Sequence, residues 1–410
     1  MKKITLLAML VLTLSLAACS KAEPTVSETQ PPTSTLTPVP SETPAPTLTP
    51  TVTATPTEVP PTATPTPSYP PAGYGPDNFP ENVNPLTGLE VSDPQLLKRR
   101  PLGIKINTIP RDYNRPPWGL SLADIVYEYY HNDGYARFHA ILYGNDASLV
   151  GPIRSGRFFD DPLIRMYKSF FVYGGADERI DFRFWSANYA SRLVREGPTS
   201  PCPATVDFPL CRHDPTGYDL LLVGTRELHE AIAKKKLDDA AQNLNGMFFQ
   251  LEAPQAGSAG KQVTVRYSTD NFTRWEYDGQ SGKYLRFQDN AQDVGQGEEY
   301  APLLDRLNEQ QITADNVVVL FIPHQFFTPP PGDIIEIVLN ASGPAIAFRD
   351  GQAYSATWNH PAADSVMYLT FADGSRYPFK PGNTWFEVVG QYSTTSQPAE
   401  GSWRFEMLFP

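Results

Sequence analysis

Gly151-Pro152-Ile153-Arg154-Ser155-Gly156-Arg157 follows a strand-like run, Ala136 to Gly144. Gly151 and Pro152 punctuate the backbone, and Ser155 is placed to cap a helix starting near Arg157. Two guanidinium groups three residues apart then stand where a strand turns into a helix. Backbone N–H groups and the positive end of a helix favour anions at such a place, and the planar guanidinium fork suits carboxylate or phosphate. Arg154, Ser155 and Arg157, with Arg137 on the preceding strand, are therefore the candidate ligand-binding residues. A structural reading competes with this one. Arg157, Asp161 and Arg165 fall at i, i+4 and i+8, the spacing of an ion-pair row on one helix face. Asp124, Glu128 and Asp160 are candidate partners that would neutralise the arginines.

Around this segment the pattern alternates. Leu102 to Ile106 reads as a strand, Ser121 as the cap of a short helix running through Asp124 and Glu128, and Ser169 to Gly175 as a buried strand ending in a glycine turn. Helices are expected from Asp181 to Leu193 and from Thr225 to about Lys236. Strands alternating with helices argue for an α/β layer. After Asn245 the texture changes to short strands. These include Met247 to Leu251, Gln262 to Tyr267, Phe272 to Tyr277, Lys283 to Phe287, Asn316 to Ile322 and several more to Leu408, with hairpin signals at Asp278-Gly279, Asp350-Gly351 and Asp373-Gly374. The fold class expected is α+β: an N-terminal α/β domain over 79–245 followed by a β-rich antiparallel domain over 246–410.

The start of the chain is of another kind. Met1-Lys2-Lys3 precedes an apolar run, Ile4 to Ala18, too short for a spanning helix of about 20 residues. It ends Leu16-Ala17-Ala18-Cys19, which resembles a bacterial lipobox. Residues 1–19 are thus expected to be a lipoprotein signal peptide, with Cys19 acylated and the lipid bilayer as its partner. Each buried methylene contributes about 0.8 kcal/mol, and stable anchoring takes more than one chain. Residues 20–78 are a Pro/Thr-rich linker, expected to be disordered, in which proline removes donors and fixes φ. At about 3.1 Å per residue such a stalk could reach on the order of 150 Å.

The net charge is −12, and residues 1–72, with three Lys and four Glu, hold almost none of it. An acidic surface repels nucleic acid and anionic lipid at long range, so nucleic acid is excluded as a partner and an anion site must be a local arginine pocket. Cys202 and Cys211 lie close together in a Pro-rich loop, and an oxidising compartment makes a disulfide the expected state, with two free thiols or half a metal site as the alternative.

One family carries these motifs in this order. Asn84-Pro85-Leu86-Thr87-Gly88-Leu89, Arg100-Pro101, Gly119 to Glu128, Arg137-Phe138 and Gly151 to Arg157 resemble the N-terminal part of the YerB-like bacterial lipoproteins. Asn316 to Val319, Gly351 to Trp358 and Asp373 to Trp385 resemble its C-terminal part. The resemblance implies an envelope location and no established activity. The sequence departs from the family's pattern at His131 to Ala136, where a Gly-rich turn with Thr is usual, and at Arg212-His213-Asp214.

The chemistry-bearing residues outside the arginines are few. Asp124 and Glu128, placed i, i+4 on the expected helix, could do acid–base work if one is desolvated, and His213, beside Cys211, could be presented to the same site. These three are the catalytic candidates for an envelope hydrolase or transferase. His131 and His139 stand on opposite sides of a turn with no third ligand at zinc spacing, so no metal is expected. There is no Gly-x-Ser-x-Gly elbow and no phosphate loop, and no cofactor is expected. Because no nucleophile is paired with a base, a binding or scaffold module for a wall glycan, a peptide or an envelope protein is the favoured function.

Overall fold

The computed structural model describes residues 69–214, 220–328 and 334–409. The expected signal peptide, Cys19 and the linker up to residue 68 lie outside the described residues. The rest is organised by five strands in the first half of the chain: β1 (Leu102–Ile106), β2 (Ile125–Asn132), β3 (Tyr135–Leu142), β4 (Phe170–Tyr173) and β5 (Leu193–Arg195). β2 and β3 form a hairpin closed by Asp133 (φ 54°) and Gly134 (φ 83°). Two successive positive φ values give the turn whose twist matches that of the strands. β3 pairs antiparallel with β1, and β1 pairs parallel with β4.

Most strands expected after Asn245 are present. They include β6 (Gln262–Arg266), β7 (Phe272–Asp278), β8 (Lys283–Asp289), β9 (Asn316–Ile322), β10 (His324–Thr328) and β11 (Ile334–Ile337). The later ones are β12 (Ala341–Arg349), β13 (Gln352–His360), β14 (Tyr368–Thr370), β15 (Thr384–Gly390), β16 (Thr394–Ala399) and β17 (Ser402–Glu406). Asp350 and Gly351 both have positive φ and join β12 to β13 with Arg349 opposite Gln352, the hairpin expected there. Met247 to Leu251 is not a strand; Phe249 makes only isolated bridges, to Tyr74 and Phe379.

The boundary near Asn245 does not interrupt the hydrogen-bonded structure. β15 lies between β9 and β2, parallel to both, with Glu387 beside Glu128. One mixed sheet therefore runs β14-β13-β12-β9-β15-β2-β3-β1-β4-β5. β15 has a parallel neighbour on each edge, and all seven of its residues are buried, the pattern of a strand covered on both faces. The second sheet, with β8, β7, β6, β17 and β16 in that order, packs on one face of the first through Trp275, Val263 and Val265. On the other face lie α1 (Asp160–Tyr167) and α2 (Glu178–Trp185), with α3 (Thr225–Lys234) further along the chain.

Two local expectations are corrected. Asp124 and Glu128 do not share a helix: a single 3-10 turn, Leu120–Leu122, precedes β2. The residues around Glu128, Val126-Tyr127 and Tyr129-Tyr130, are β-branched or aromatic and are buried on both faces of a central strand, which favours strand over helix. Ser155 does not cap a helix. The helix starts at Asp160, whose carboxylate accepts the Arg157 N–H at 2.7 Å.

Candidate functional site

Alternation along β2 sends successive side chains to opposite faces of the sheet, and this separates two clusters of buried charge. Tyr127 and Tyr129 sit opposite His139 and Arg137 of β3, and His139 sits opposite Lys105 of β1. These residues face the helices. Glu128 sits between Phe138 of β3 and Glu387 of β15 and faces the second sheet.

On the helical face, Asp160 is the hub. Its Oδ1 accepts from Tyr129 Oη at 2.5 Å and from His139 Nδ1 at 2.8 Å, with Lys105 Nζ at 3.4 Å. Its Oδ2 accepts the Arg157 backbone N–H. Lys105 also donates to Tyr129 Oη. Lys105, His139 and Asp160 are all 0% exposed. Burial favours neutral forms unless a partner compensates. It pulls the Lys105 ammonium down to about 7, against the pull of Asp160. It would raise Asp160, but Lys105's charge and the His139 hydrogen bond outweigh it and hold the carboxyl at about 2. His139 is lowered by burial despite its bond to Asp160.

Above this hub runs the Gly151–Arg157 segment. It is threaded by backbone bonds rather than wound into a helix: Asn107 N to Pro152 O, Arg154 N to Lys105 O, Gly174 N to Arg154 O and Gly156 N to Gly175 O. Gly156 is required there, because a Cβ would come 2.8 Å from the Phe184 ring. The threading turns Arg157 back on itself. Its Nη1 donates to Gly156 O at 2.8 Å and Ser155 O at 3.3 Å, and its Nη2 lies 3.4 Å from His131 Nδ1. Arg137 Nη1 donates to the same Ser155 O at 3.0 Å, and its Nε is buried without a hydrogen-bond partner. Burial, then the charges of Arg157 and Arg154, pull Arg137 well below its ordinary pKa. Burial, then Arg137, Arg157 and Lys105, do the same to His131.

Arg157, His131, Asn132 and Ser155 line a pocket of about 510 Å³ together with Ile180, Ile334 and the paired side chains of Asp177 and Arg179. Arg179 is held by Asp177 at 2.8 and 2.9 Å and by Thr328 Oγ1 at 2.9 Å. Of the expected ligand residues, Ser155 and Arg157 line this pocket and Arg137 lies against them. Arg154 is not among the lining residues. The expected Arg157–Asp161–Arg165 row is half formed: Arg165 pairs with Asp161 at 2.9 Å, while Arg157 points elsewhere.

The catalytic candidates do not come together. Glu128, 1% exposed, faces the second sheet, where Arg286 Nη2 reaches its Oε2 at 2.6 Å and Arg286 Nη1 reaches Glu387 Oε1 at 2.9 Å. Trp275 Nε1 and Tyr267 Oη donate to Glu387 at 2.8 Å each, and the Arg286 guanidinium lies 4.5 Å from the Trp385 ring centroid. Burial, offset by Arg286 and reinforced by Glu387, pushes Glu128 up to about 8. Asp124 is a brace. It accepts from Asn84 Nδ2 at 2.9 Å, Tyr143 N at 2.6 Å and Gly144 N at 3.0 Å. Burial raises it to about 6 against those bonds. His213 is exposed, its ring 5.3 Å from that of Trp118. Nearby, Cys202 and Cys211 form a disulfide that packs with Trp118 and Leu222.

Lys105, Tyr129, Arg286 and Glu387 escaped the sequence reading as site residues, and His139 enters it only as a candidate metal ligand. The available signal was a lysine inside the apolar strand Leu102–Ile106 and a glutamate inside Thr384–Gly390, both of which imply a buried partner.

Comparison with known proteins matches this architecture as a whole. Residues 86–200 match the N-terminal domain, and residues 263–386 the C-terminal domain, of a protein of unknown function, DUF3048. The protein named "Putative lipoprotein YerB" of Bacillus subtilis (strain 168) is 26% identical over 327 residues, covering 78% of this chain and 90% of that protein. The crystal structure of YerB from Bacillus subtilis superposes with a TM-score of 0.60 at 23% identity, over 75% of this chain and 96% of that one. At that identity the structural likeness speaks for the fold alone. With both domains matched in order and a relative aligned along most of its length, the chain belongs to the YerB-like DUF3048 family, whose function is unknown.

Proposed function

We propose that this protein is a membrane-anchored extracytoplasmic lipoprotein that acts as a binding module, holding an envelope ligand by a carboxylate or phosphate group in the Arg157 pocket. Acylation at Cys19 would hold it to the bilayer. The observation that carries the binding reading is the charge around the pocket. Arg157 lines it and Arg137 lies against it, their guanidinium donors engage mainly backbone carbonyls, and the one carboxylate at the hub, Asp160, is already shared with Lys105, His139 and Tyr129. Guanidinium groups that lack carboxylate partners of their own beside an open cavity suit an anion supplied from outside. The net charge of −12 leaves such a pocket as a local exception.

Two experiments test the two parts. For the anchor, Cys19→Ala should release the protein from the membrane fraction or leave it unprocessed, and normal retention of a correctly cleaved form would refute it. For the pocket, envelope glycans, phosphorylated sugars and peptides should be screened against wild type and Arg157→Lys. Lysine keeps the charge but loses the planar fork, so a ligand of this pocket should weaken about tenfold or more while the fold survives. Equal binding of every ligand found would leave Arg157 with a structural role only.

A further inference from the structure

The anion reading fixes no ligand charge, and the groups beneath the pocket supply one. Lys105 is faced by Tyr129 and His131 from β2, by Arg137 and His139 from β3, by Arg157 from the loop and by Asp160 from α1. His131 and His139 are both held neutral by burial. Arg179 is neutralised by Asp177, and Asp133 is exposed and hydrogen-bonded by Asn132. What remains facing Lys105 is Arg137 and Arg157, which with Lys105 make three cationic groups around one buried carboxylate, Asp160; Arg154, whose charge also acts on Arg137, does not line the pocket. When Lys105 carries its proton, the cluster is two positive charges in excess.

Resting on the anion reading, we infer that the pocket takes a doubly charged tetrahedral anion of the phosphate-monoester type, and takes it up together with a proton on Lys105. A single carboxylate would leave the buried cluster positive, whereas a dianion neutralises it. With the pocket empty, the arginines and burial disfavour the charged lysine, whose pKa falls to about 7. A dianion held by Arg157 reverses the sign of the local field, and Lys105 then binds its proton more tightly. By linkage, the ligand in turn binds more tightly to the protonated protein. The affinity therefore falls as pH rises through neutrality, although a dianion bound only by arginines would show no such dependence.

Sulfate is the probe, because its charge is fixed across the range where inorganic phosphate titrates. The mature full-length chain is titrated with sulfate and with acetate by calorimetry, in two buffers of different ionisation enthalpy. We expect sulfate to bind about tenfold or more tightly than acetate, and its affinity to drop about tenfold between roughly pH 6 and pH 8.5, the factor set by one pKa unit of differential interaction. Near neutrality the two buffers should report net proton uptake. Lys105→Met should weaken sulfate and abolish the uptake while His131 remains in place. Should that variant fail to fold, His131→Asn is titrated instead: uptake that persists in it supports Lys105 as the acceptor, and its loss overturns that assignment. Sulfate binding without proton uptake, or acetate binding as well as sulfate, overturns this inference and leaves the anion pocket standing. Absence of binding by either anion at every pH overturns both.

Discussion

The two faces of β2 hold buried charge in opposite ways. Toward the second sheet, Arg286 lies between Glu128 and Glu387, and the cluster is walled by Trp275 and Trp385 with no lining residue in the Arg157 pocket. Toward the helices, Asp160 is the one buried carboxylate, bonded by Lys105, while the Arg137 and Arg157 guanidinium groups donate to backbone carbonyls, and the excess of charge lies beside a cavity. The first arrangement neutralises itself: Glu128, pushed up to about 8, holds its proton at neutral pH and leaves one carboxylate for one guanidinium. The second neutralises itself only with help from outside. A buried charge is thus a poor guide to function until its balance is counted. The glutamate that resembled a catalytic base belongs to the closed side.

The widest separation between the faces should appear on removing one cation from each. Arg286→Met leaves Glu128 and Glu387 in a dry core without the guanidinium they share, and breaking a buried pair in this way costs about 3–5 kcal/mol. Chemical denaturation should show that loss without a change in the sulfate affinity of whatever fraction remains folded. A variant as stable as wild type would mean that the cluster is open to water and that the contrast between the faces is not real.

How much of this was legible in the sequence depended on how local the determinant was. The β12–β13 hairpin could be seen because Asp350-Gly351 is itself the reason for the turn: both residues adopt positive φ, which the connection requires. The arginine segment could be placed after a strand and before a helix from its Gly-Pro punctuation alone. The two carboxylates of Asp124 and Glu128 misled, because an i, i+4 spacing is only meaningful once a helix is established. The intervening Ile125, Val126 and Tyr127 were better evidence for a strand buried on both faces. Arg286 carried no usable signal. It sits in the alternating strand Lys283–Asp289 like any surface arginine, and its partners lie 158 and 101 residues away. Lys105 is the intermediate case, a charge in a short apolar strand that announces a partner without naming it.

Titration sharpens the contrast, because the two faces respond to pH in opposite directions. Glu128 is raised from 4.5 to about 8 on folding. Between those values the folded state holds a proton that the unfolded chain has released, so stability falls as pH rises. Glu128→Gln removes that dependence. The variant should match wild type near the lower end of the window and gain on it as pH rises, by up to about 1.4 kcal/mol per pH unit and about 3 kcal/mol at neutrality. Lys105 is lowered from 10.5 to about 7. Between those values the unfolded chain holds the extra proton, so stability rises with pH, and Lys105→Met should remove that rise. Thermal melts of the two variants across the range supply the check. Slopes of the same sign would show that one of the clusters has been given the wrong charge balance.

The smallest stability effect is expected at the residue with the largest expected effect on binding. Arg157→Met loses two donated bonds, one to Ser155 O, which is half-buried and keeps its bond from Arg137 Nη1, and one to the O of buried Gly156. Against that loss, the substitution removes the charge that, after burial, most depresses Arg137. The two contributions oppose each other, so the melting temperature should change by no more than an effect of about 1 kcal/mol, the centre of the distribution for single substitutions. The backbone N–H of residue 157 still bonds Asp160, and the start of α1 is kept. Sulfate binding, by contrast, should be lost. A folded protein that no longer binds sulfate places Arg157 in a site. A protein destabilised as strongly as Arg286→Met would instead make it a brace for the Gly151–Arg157 segment, and the two faces of the sheet would then differ only in which charges they bury.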